Sequence, residues 1–288
     1  MDKRLKVNFV PFSNFGDTSV PYMLKKLNIP FIFTHHTVEN KILMTGSILG
    51  VGNRKNTIVW GTGIMDNKTV PLKNSIYKAV RGYRTLNKLK EHGIDISNVA
   101  LGDPAMLLSR IYKKENIEKK YKLGIIPHIV DYTFVSNYVN SNKDKFENTI
   151  IIDPNTNVSK IEKFIDQVNE CEKIVSTCLH GIICAHSYGI KASWMRVSDK
   201  LAGDDVKFYD HFESVGIFNL QPLSLIENED VNVEEFSSKL DIDKLWDARP
   251  WIDLSDDYYV DIDDPNWVKE CYFDGYDSKI WTDDYFKL

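Results

Sequence analysis

The sequence predicts an α/β protein with two units, each built on a mostly parallel sheet. From residue 6 to residue 101, short β-rich apolar runs alternate with helix-forming stretches, a pattern typical of a parallel sheet. A charged run at 113–120 interrupts this pattern, which starts again at Leu123. The chain has 288 residues, which is enough for two domains. We therefore predict one α/β domain at 1–118, a second at 119–240, and a C-terminal tail at 241–288.

Composition and charge exclude several classes of protein. The net charge is −5 and the pI is near 5.8, so the basic face of a nucleic-acid-binding protein is not expected. The four cysteines form no CxxC pair and fit no zinc spacing, so no metal is predicted. Three of them, Cys171, Cys178 and Cys184, are predicted to be buried thiols of a reducing cytoplasm. The sequence has neither the apolar core of a signal peptide nor the ~18 apolar residues of a membrane span. It therefore predicts a soluble, cytoplasmic protein.

In the first half, strands are predicted at 6–11, 31–33, 41–49, 56–64 and 99–101, and a further strand ends at Ala79-Val80, just before Arg81. One helix is predicted at 20–27, and another follows Thr85 and ends near Glu91, with Gly93 as its C-terminal capping glycine. Glycine turns follow two of the strands, at 50–52 and 61–63. Glycine at a strand end allows a ligand to approach the backbone closely, although a single GxG is a weak signal.

The second half repeats this alternation. Strands are predicted at 123–127, 149–153, 173–175 and 192–197, and helices at 131–146, 158–168 and 205–215. The tail changes in composition, because it is dense in aspartate and aromatic residues. Aromatic side chains tend to be buried, so we expect the tail to form short helices that pack over the domains. The aromatic residues concerned are Trp246, Trp251, Tyr258, Tyr259, Trp267, Tyr272, Trp281 and Tyr285.

The strongest local signal is the stretch at 174–189, which reads IVSTCLHGIICAHSYG. An apolar run passes through small polar residues into His180 and Gly181, and helix formers follow. This pattern predicts a buried strand, a tight turn and a helix packed close to the sheet. Open α/β sheets bind ligands at such turns, and a helix N-terminus offers N–H groups to an anion. His180 is therefore a candidate site residue; the alternative is a histidine that only caps the turn.

Two further residues lie at predicted turns between a strand and a helix. Arg81 is placed to hold a carboxylate or phosphate in a bidentate pair, and the alternative is a surface arginine paired with Glu91 or Asp103. Asp17 is placed either to cap the first helix or to face a ligand.

In combination, a series of short motifs resembles the polysaccharide pyruvyltransferase family. The motifs occur in the family's order and span residues 7–216. They are NFGD at 14–17, VWGTGI at 59–64, VRG at 80–82 with Arg84 and Thr85, LGDPA at 101–105, STCLHG at 176–181, AHSYGI at 185–190, and KFYD at 207–210.

The resemblance implies a GT-B-like fold, in which two doubly wound Rossmann-like domains enclose the active site in a cleft. It implies transfer of pyruvate from phosphoenolpyruvate to a sugar of a surface polysaccharide, with formation of a ketal and no cofactor. It gives His180 a catalytic role and Arg81 a role in donor binding. We place the donor also beside Leu179 and Gly181. The acceptor is placed beside Asn14, Gly16, Gly61, Thr62 and Gly63.

One position departs from the family pattern. Members of the family often have arginine directly before the Leu-His pair, where this chain has Cys178. Three other cations are candidates to replace the missing charge, namely Arg84, Arg196 and Lys207. Backbone N–H groups at the start of the helix are a further alternative.

The implied chemistry needs a group that titrates near neutral pH, and histidine has a reference pKa of about 6.5. Asp17 or Asp210 is expected to orient His180 or to accept a hydroxyl proton, and the sequence does not choose between them. Two rival functions remain: a GT-B glycosyltransferase that uses a nucleotide sugar, and a non-catalytic carbohydrate-binding protein. A lipid-linked acceptor, a position at the inner face of a membrane and the oligomeric state are left open.

Overall fold

Two mostly parallel sheets organise the part of the chain that the computed structural model describes, which is residues 3–52, 54–224, 233, 237–252 and 254–261. The strands are β1 (Lys3–Asn8), β2 (Phe31–Phe33), β3 (Ile42–Leu43), β4 (Ile58–Trp60), β5 (Ile76–Val80), β6 (Ala100–Leu101), β7 (Leu123–Ile126), β8 (Thr149–Ile151), β9 (Ile174–Ser176), β10 (Ala192–Arg196), β11 (Leu223–Ser224) and β12 (Tyr259–Asp261). The α-helices are α1 (Phe15–Lys26), α2 (Leu49–Gly52), α3 (Tyr83–Glu91), α4 (Leu108–Ile111), α5 (Tyr132–Ser141), α6 (Ile161–Asn169), α7 (Leu179–Ser187), α8 (Val206–Ser214) and α9 (Ile242–Asp247).

The first sheet is parallel except for one strand. From β1 it continues through β3, β4 and β5 to β6, and β12 pairs antiparallel with β1. Val7 of β1 pairs with Phe33 of β2 and with Ile42 of β3, so β1 lies between these two strands. After β1 the chain forms β2 on one side of β1 and later forms β3 on the other side. The loops at the carboxyl ends of β1 and β3 therefore run in opposite directions. Doubly wound folds bind ligands at such a point.

The second sheet is parallel throughout, in the order β8-β7-β9-β10-β11. Here β7 lies between β8 and β9, so the point of divergence is at the carboxyl ends of β7 and β9. The strands β7 and β9 are buried along their whole length, as expected for a sheet covered on both faces. The predicted α/β class with parallel sheets is confirmed.

The two sheets share a continuous apolar core. One cluster of buried residues contains Leu5 and Val7 of β1 as well as Ile174 of β9. Helix α1 packs against α6 and α7, and Phe15 stacks on Phe164 with ring centroids 4.1 Å apart. The two halves of the chain therefore share one packed interior.

Local chemistry explains where the observed elements differ from the predicted ones. The strand predicted at 41–49 is wrong beyond Leu43, because Gly46 adopts a φ of +100° and the chain leaves the sheet. The turn predicted at 50–52 is part of α2. Helix α1 begins at Phe15 rather than near residue 20, because the Asn14 side chain caps it. Gly93 lies just after α3 with a φ of +69°, so its predicted capping position is confirmed.

The described part of the tail packs on the first sheet. The indole N–H of Trp60 donates to the Leu245 carbonyl at 3.0 Å, and Trp251 meets Trp60 edge-on at 5.0 Å between ring centroids. The short helix α9 agrees with prediction, whereas β12 was not predicted. Residues Trp267, Tyr272, Trp281 and Tyr285 lie outside the described part of the chain. Within the described ranges, none of the helices has both the length and the apolar character that crossing a membrane requires.

Candidate functional site

The turn between β9 and α7 places His180 at the point where the second sheet diverges. Ser176, the last residue of β9, donates its hydroxyl to the Ile126 carbonyl at 2.7 Å and accepts from the Cys178 N–H at 2.9 Å. A Cβ at Gly181 would lie 2.8 Å from the Ser176 hydroxyl oxygen, closer than real Cβ contacts. Glycine therefore lets α7 begin directly against the sheet, and His180 follows in its first turn.

His180 meets two residues from the first half of the chain. Its Nε2 atom lies 3.4 Å from Oδ2 of Asp103, and 13% of its side chain is exposed. On another side the ring lies against Gly16, where a Cβ would be 2.3 Å from Nδ1 and 2.6 Å from Cγ. The imidazole is thus fixed between the loop after β6 and the first turn of α1.

Asp17 is the second carboxylate near His180. Burial raises the pKa of Asp17 to about 7, while the coulombic interaction with His180 and a hydrogen bond from the Asn14 amide act in the opposite direction. Asn14 also accepts the Asp17 N–H at 3.1 Å, so Asn14, and not Asp17, caps α1. A carboxyl group with a pKa near neutrality is suited to exchange protons.

Asp103 has a place that the sequence reasoning did not assign to it. Its side chain is fully buried, and Oδ1 accepts the Ala105 N–H at 2.9 Å, which caps the 3-10 helix at Pro104–Leu107. The available signal was the position of Asp103 in the LGDPA motif, directly after strand β6. This strand end lies on the same sheet edge as the loops that carry Gly16 and Arg81.

Arg81 and Asp210 form a fully buried ion pair. Arg81 Nε donates to Asp210 Oδ2 at 3.0 Å, and Thr85 donates its hydroxyl to Oδ2 at 2.7 Å and its N–H to Oδ1 at 2.9 Å. The remaining guanidinium nitrogens donate to the Ser47 hydroxyl at 2.6 Å and to the carbonyls of Ile64 and Gly46. The alternative of a surface arginine paired with Glu91 or Asp103 is therefore wrong.

The Arg81–Asp210 ion pair connects the second half of the chain to the first. A Cβ at Gly82 would lie 1.8 Å from the Asp210 carbonyl oxygen, so glycine is needed for α8 to approach α3. Because Arg81 and Asp210 are hydrogen-bonded to protein groups on every side, the geometry gives them a structural role. Their predicted roles in donor binding and in acid–base chemistry stay predictions.

Arg84 and Arg196 are surface residues engaged in ion pairs. Arg84 binds Glu213 through two nitrogens, at 3.0 Å and 2.5 Å, and its side chain is 45% exposed. Arg196 pairs with Asp199 at 2.7 Å and with Asp205 at 3.2 Å, and its side chain is 47% exposed. Their predicted roles in donor binding stay predictions.

Lys207 differs from these two arginines. Only 9% of it is exposed, and its ammonium group donates to the Ala202 carbonyl at 3.0 Å. Among residues 3–52, 54–224 and the described tail, no carboxylate forms an ion pair with it. Burial and the nearby Arg81 charge lower its pKa, while the Cys178 thiol and Asp205 act in the opposite direction. Lys207 is therefore a buried cation near Cys178, the position where the family often has arginine.

Three further histidines surround this region. The His128 N–H, directly after β7, donates to the Thr177 hydroxyl at 2.7 Å, and burial followed by the Lys207 charge lowers the pKa of its imidazole. His186 Nδ1 and His211 Nε2 lie 2.9 Å apart in the interior. Burial lowers the pKa of His186 to about 3 and that of His211 well below its usual value. The sequence reasoning had set His128 aside because it lies outside the motifs.

The remaining predicted residues are buried. Gly61 is packed so closely that a Cβ would be 2.1 Å from Pro104 Cδ, and a Cβ at Gly63 would be 2.5 Å from the Arg81 guanidinium. Thr62 is fully buried and donates to the Gly46 carbonyl at 2.9 Å. Leu179 belongs to the core. Their predicted contacts with substrate stay predictions.

The structure thus brings together His180, Gly16, Asp17 and Asn14, with Lys207 nearby, and leaves Arg84 and Arg196 at the surface. Within the described ranges, no three histidine, cysteine or acidic side chains are grouped so that they could hold a metal ion.

Comparisons with known proteins found three similarities. A family model described as polysaccharide pyruvyl transferase matches residues 3–199. An uncharacterized protein from Acanthamoeba polyphaga mimivirus is 37% identical over 221 residues, which cover 73% of each chain. The crystal structure of a functionally uncharacterized protein from Klebsiella pneumoniae subsp. pneumoniae NTUH-K2044 is similar with 13% identity and a TM-score of 0.43, and the match covers 75% of this chain and 89% of that one.

Proposed function

Because this chain belongs to the polysaccharide pyruvyl transferase family, we propose that it transfers pyruvate from phosphoenolpyruvate to a saccharide and forms a ketal across two hydroxyls. The observation that carries the proposal is the environment of His180. A partly exposed imidazole at the diverging edge of a parallel sheet lies between Asp103, Gly16 and the raised-pKa carboxyl group of Asp17. Such a group is suited to acid–base chemistry near neutral pH.

The donor's negative charge is proposed to bind at Lys207. Burial of an ammonium group without a carboxylate partner is unfavourable unless another anion balances its charge. Phosphoenolpyruvate carries both a phosphate and a carboxylate. Lys207 lies near Cys178, which precedes the first turn of α7, and a helix N-terminus also favours an anion. Lys207 thus supplies the charge that Cys178 lacks.

The proposed reaction begins with a proton delivered to the methylene carbon of phosphoenolpyruvate. C2 then gains oxocarbenium character, and a saccharide hydroxyl attacks it and releases its proton. Phosphate leaves, and a second hydroxyl of the same saccharide closes the ring with loss of a second proton. One released proton replaces the one delivered to the methylene carbon, and the other goes to phosphate or solvent. His180 and Asp17, which lie close to each other, are the groups proposed to move these protons.

We propose a GT-B-like arrangement for this site, with domains at 1–118 and 119–240. Two separate parallel sheets support it, as does the meeting of His180 from the second half with Gly16 and Asp103 from the first. The acceptor is proposed to be a sugar of a surface polysaccharide or its lipid-linked precursor, bound near Asn14 at the start of α1. This assignment places the enzyme in the cytoplasm, at the inner face of a membrane where the acceptor is lipid-linked.

The test compares ligands and variants of the purified protein. Phosphoenolpyruvate should raise the melting temperature by mass action, whereas a nucleotide sugar should not. Release of phosphate from phosphoenolpyruvate in the presence of saccharide acceptors should fall by roughly 10²–10⁴-fold in His180→Asn. Lys207→Met should weaken donor binding by about 2–5 kcal/mol, whereas Lys200→Met, at an exposed position of the preceding loop, should leave it unchanged. Stabilisation by nucleotide sugars alone would instead identify a glycosyltransferase.

A further inference from the structure

Two buried polar atoms lie close to each other in the site. Nε2 of His180 and Oδ2 of Asp103 lie 3.4 Å apart, and neither has a hydrogen-bond partner elsewhere in the part of the chain that the structure describes. Leaving a buried donor and a buried acceptor unpaired is costly. The simplest arrangement that satisfies both atoms is a proton on Nε2 directed at Asp103.

We propose that Asp103 is a positioning residue that accepts Nε2–H of His180, fixes the neutral imidazole with its proton on Nε2, and leaves Nδ1 to exchange protons with the substrate. Only the exchange of protons between Nδ1 and the substrate rests on the proposed function. The tautomer itself is a property of the protein alone. Asp17 and Asp210, the two carboxylates that the sequence favoured for this role, are engaged with Asn14 and with Arg81 and Thr85.

The capping contact of Asp103 makes it suitable to hold the ring. Its Oδ1 accepts the Ala105 N–H at 2.9 Å, and the whole side chain is buried, so the direction of Oδ2 is fixed. Histidine in catalytic sites is commonly held in one tautomer by such a carboxylate on its second ring nitrogen. The pairing joins residues that are 77 positions apart, and it requires the loop after β6 to meet the first turn of α7.

Gly16 defines what lies on the other side of the ring. A Cβ at this position would be 2.3 Å from Nδ1 and 2.9 Å from Cε1, whereas ordinary contacts begin at 3.4 Å. Glycine therefore keeps side-chain atoms away from Nδ1. Other titratable groups near His180 are Asp17 on α1, His128 after β7 and His211 on α8. Of these, Asp17 is the carboxyl group that could pass a proton to or from the site.

The first test is the tautomer of His180 in the unmodified protein. Nitrogen chemical shifts of ¹⁵N-histidine-labelled protein distinguish a proton on Nε2 from one on Nδ1, and the His180→Asn variant assigns the signal. We expect neutral His180 to carry its proton on Nε2. A proton on Nδ1 would overturn the inference, whatever reaction the enzyme catalyses.

The second test is Asp103→Asn, which keeps the size of the side chain and an oxygen for the Ala105 N–H. The amide then donates to Nε2, so we expect the tautomer to switch and kcat for phosphate release to fall roughly 10²–10⁴-fold, with little change in KM for phosphoenolpyruvate. Asp241→Asn is the matched control, because Asp241 caps α9 through the Lys244 N–H at 2.9 Å and has no contact with His180. The control should change neither quantity.

A double variant separates positioning from an independent role. If Asp103 acts through His180, adding Asp103→Asn to His180→Asn lowers kcat no further. A tautomer that is unchanged in Asp103→Asn with wild-type kcat would refute the inference. A switched tautomer in a protein that shows no turnover of phosphoenolpyruvate would refute the proposed function and leave the role of Asp103 intact. If Asp103→Asn does not fold, the tautomer of the unmodified protein still decides.

Discussion

Replacement of Gly16 by alanine should inactivate the enzyme without unfolding it. The added Cβ would lie 2.3 Å from Nδ1 of His180, and ordinary van der Waals contact begins at 3.4 Å, so about 1.1 Å of displacement is needed. The ring is held on its other side by the buried Asp103, so the imidazole moves away from its position or α1 shifts. A displacement of about 1 Å at a catalytic group can lower the rate 10²-fold.

The stability of this variant should change little. Gly16 lies in the first turn of α1, where alanine is favoured over glycine by up to about 1 kcal/mol, and this gain offsets part of the clash. The assay is kcat for phosphate release, measured beside the free energy of unfolding in urea. We expect kcat to fall about 10²-fold with unfolding free energy within about 2 kcal/mol of wild type.

Gly189→Ala provides the control for this experiment. Gly189 follows α7, has a φ of +69°, and a Cβ there would meet nothing within 4 Å. Alanine is strained at that φ, so the variant loses roughly 1–2 kcal/mol of stability while His180 keeps its position. Wild-type kcat in Gly16→Ala, or an equal loss of kcat in both variants, would refute the reasoning.

Two predictions concern groups behind the site. Asp210→Asn leaves the buried Arg81 without its counterion and should lower the free energy of unfolding in urea by about 3–5 kcal/mol. A decrease below about 1 kcal/mol would contradict the structural role of the pair. Folding lowers the pKa values of His186 and His211, so below pH ~6.5 the unfolded chain binds more protons than the folded protein. The stability that these two histidines contribute should be fully present above that pH and should be lost as the pH falls towards 4. Asp17, whose pKa is raised to about 7, acts in the opposite sense. The histidine contribution is therefore measured as the difference in pH slope between wild type and the His186→Gln/His211→Gln variant, and equal slopes would count against it.

The sequence by itself determined the features that depend on neighbours along the chain. Alternation of apolar runs and helix formers predicted the α/β class, and the strand at 31–33 was predicted with its observed bounds. The small polar residues between Val175 and Gly181 predicted the strand–turn–helix that carries His180, because turn geometry is encoded within a few residues. The ordered motifs predicted the family that the comparisons confirm.

Only the tertiary structure decided which side chains meet. Asp103 and His180 come together because the loops at the carboxyl ends of β6 and β9 face each other, and no local pattern specifies that pairing. Arg81 follows strand β5 and Lys207 lies in the first turn of helix α8, and both are buried cations. One is paired with Asp210, whereas the other lacks a carboxylate partner in the described chain. The role of a charged residue depends on its burial and its counterion. Both are set by the packing of the two sheets against each other, and the periodicity of the sequence does not specify that packing.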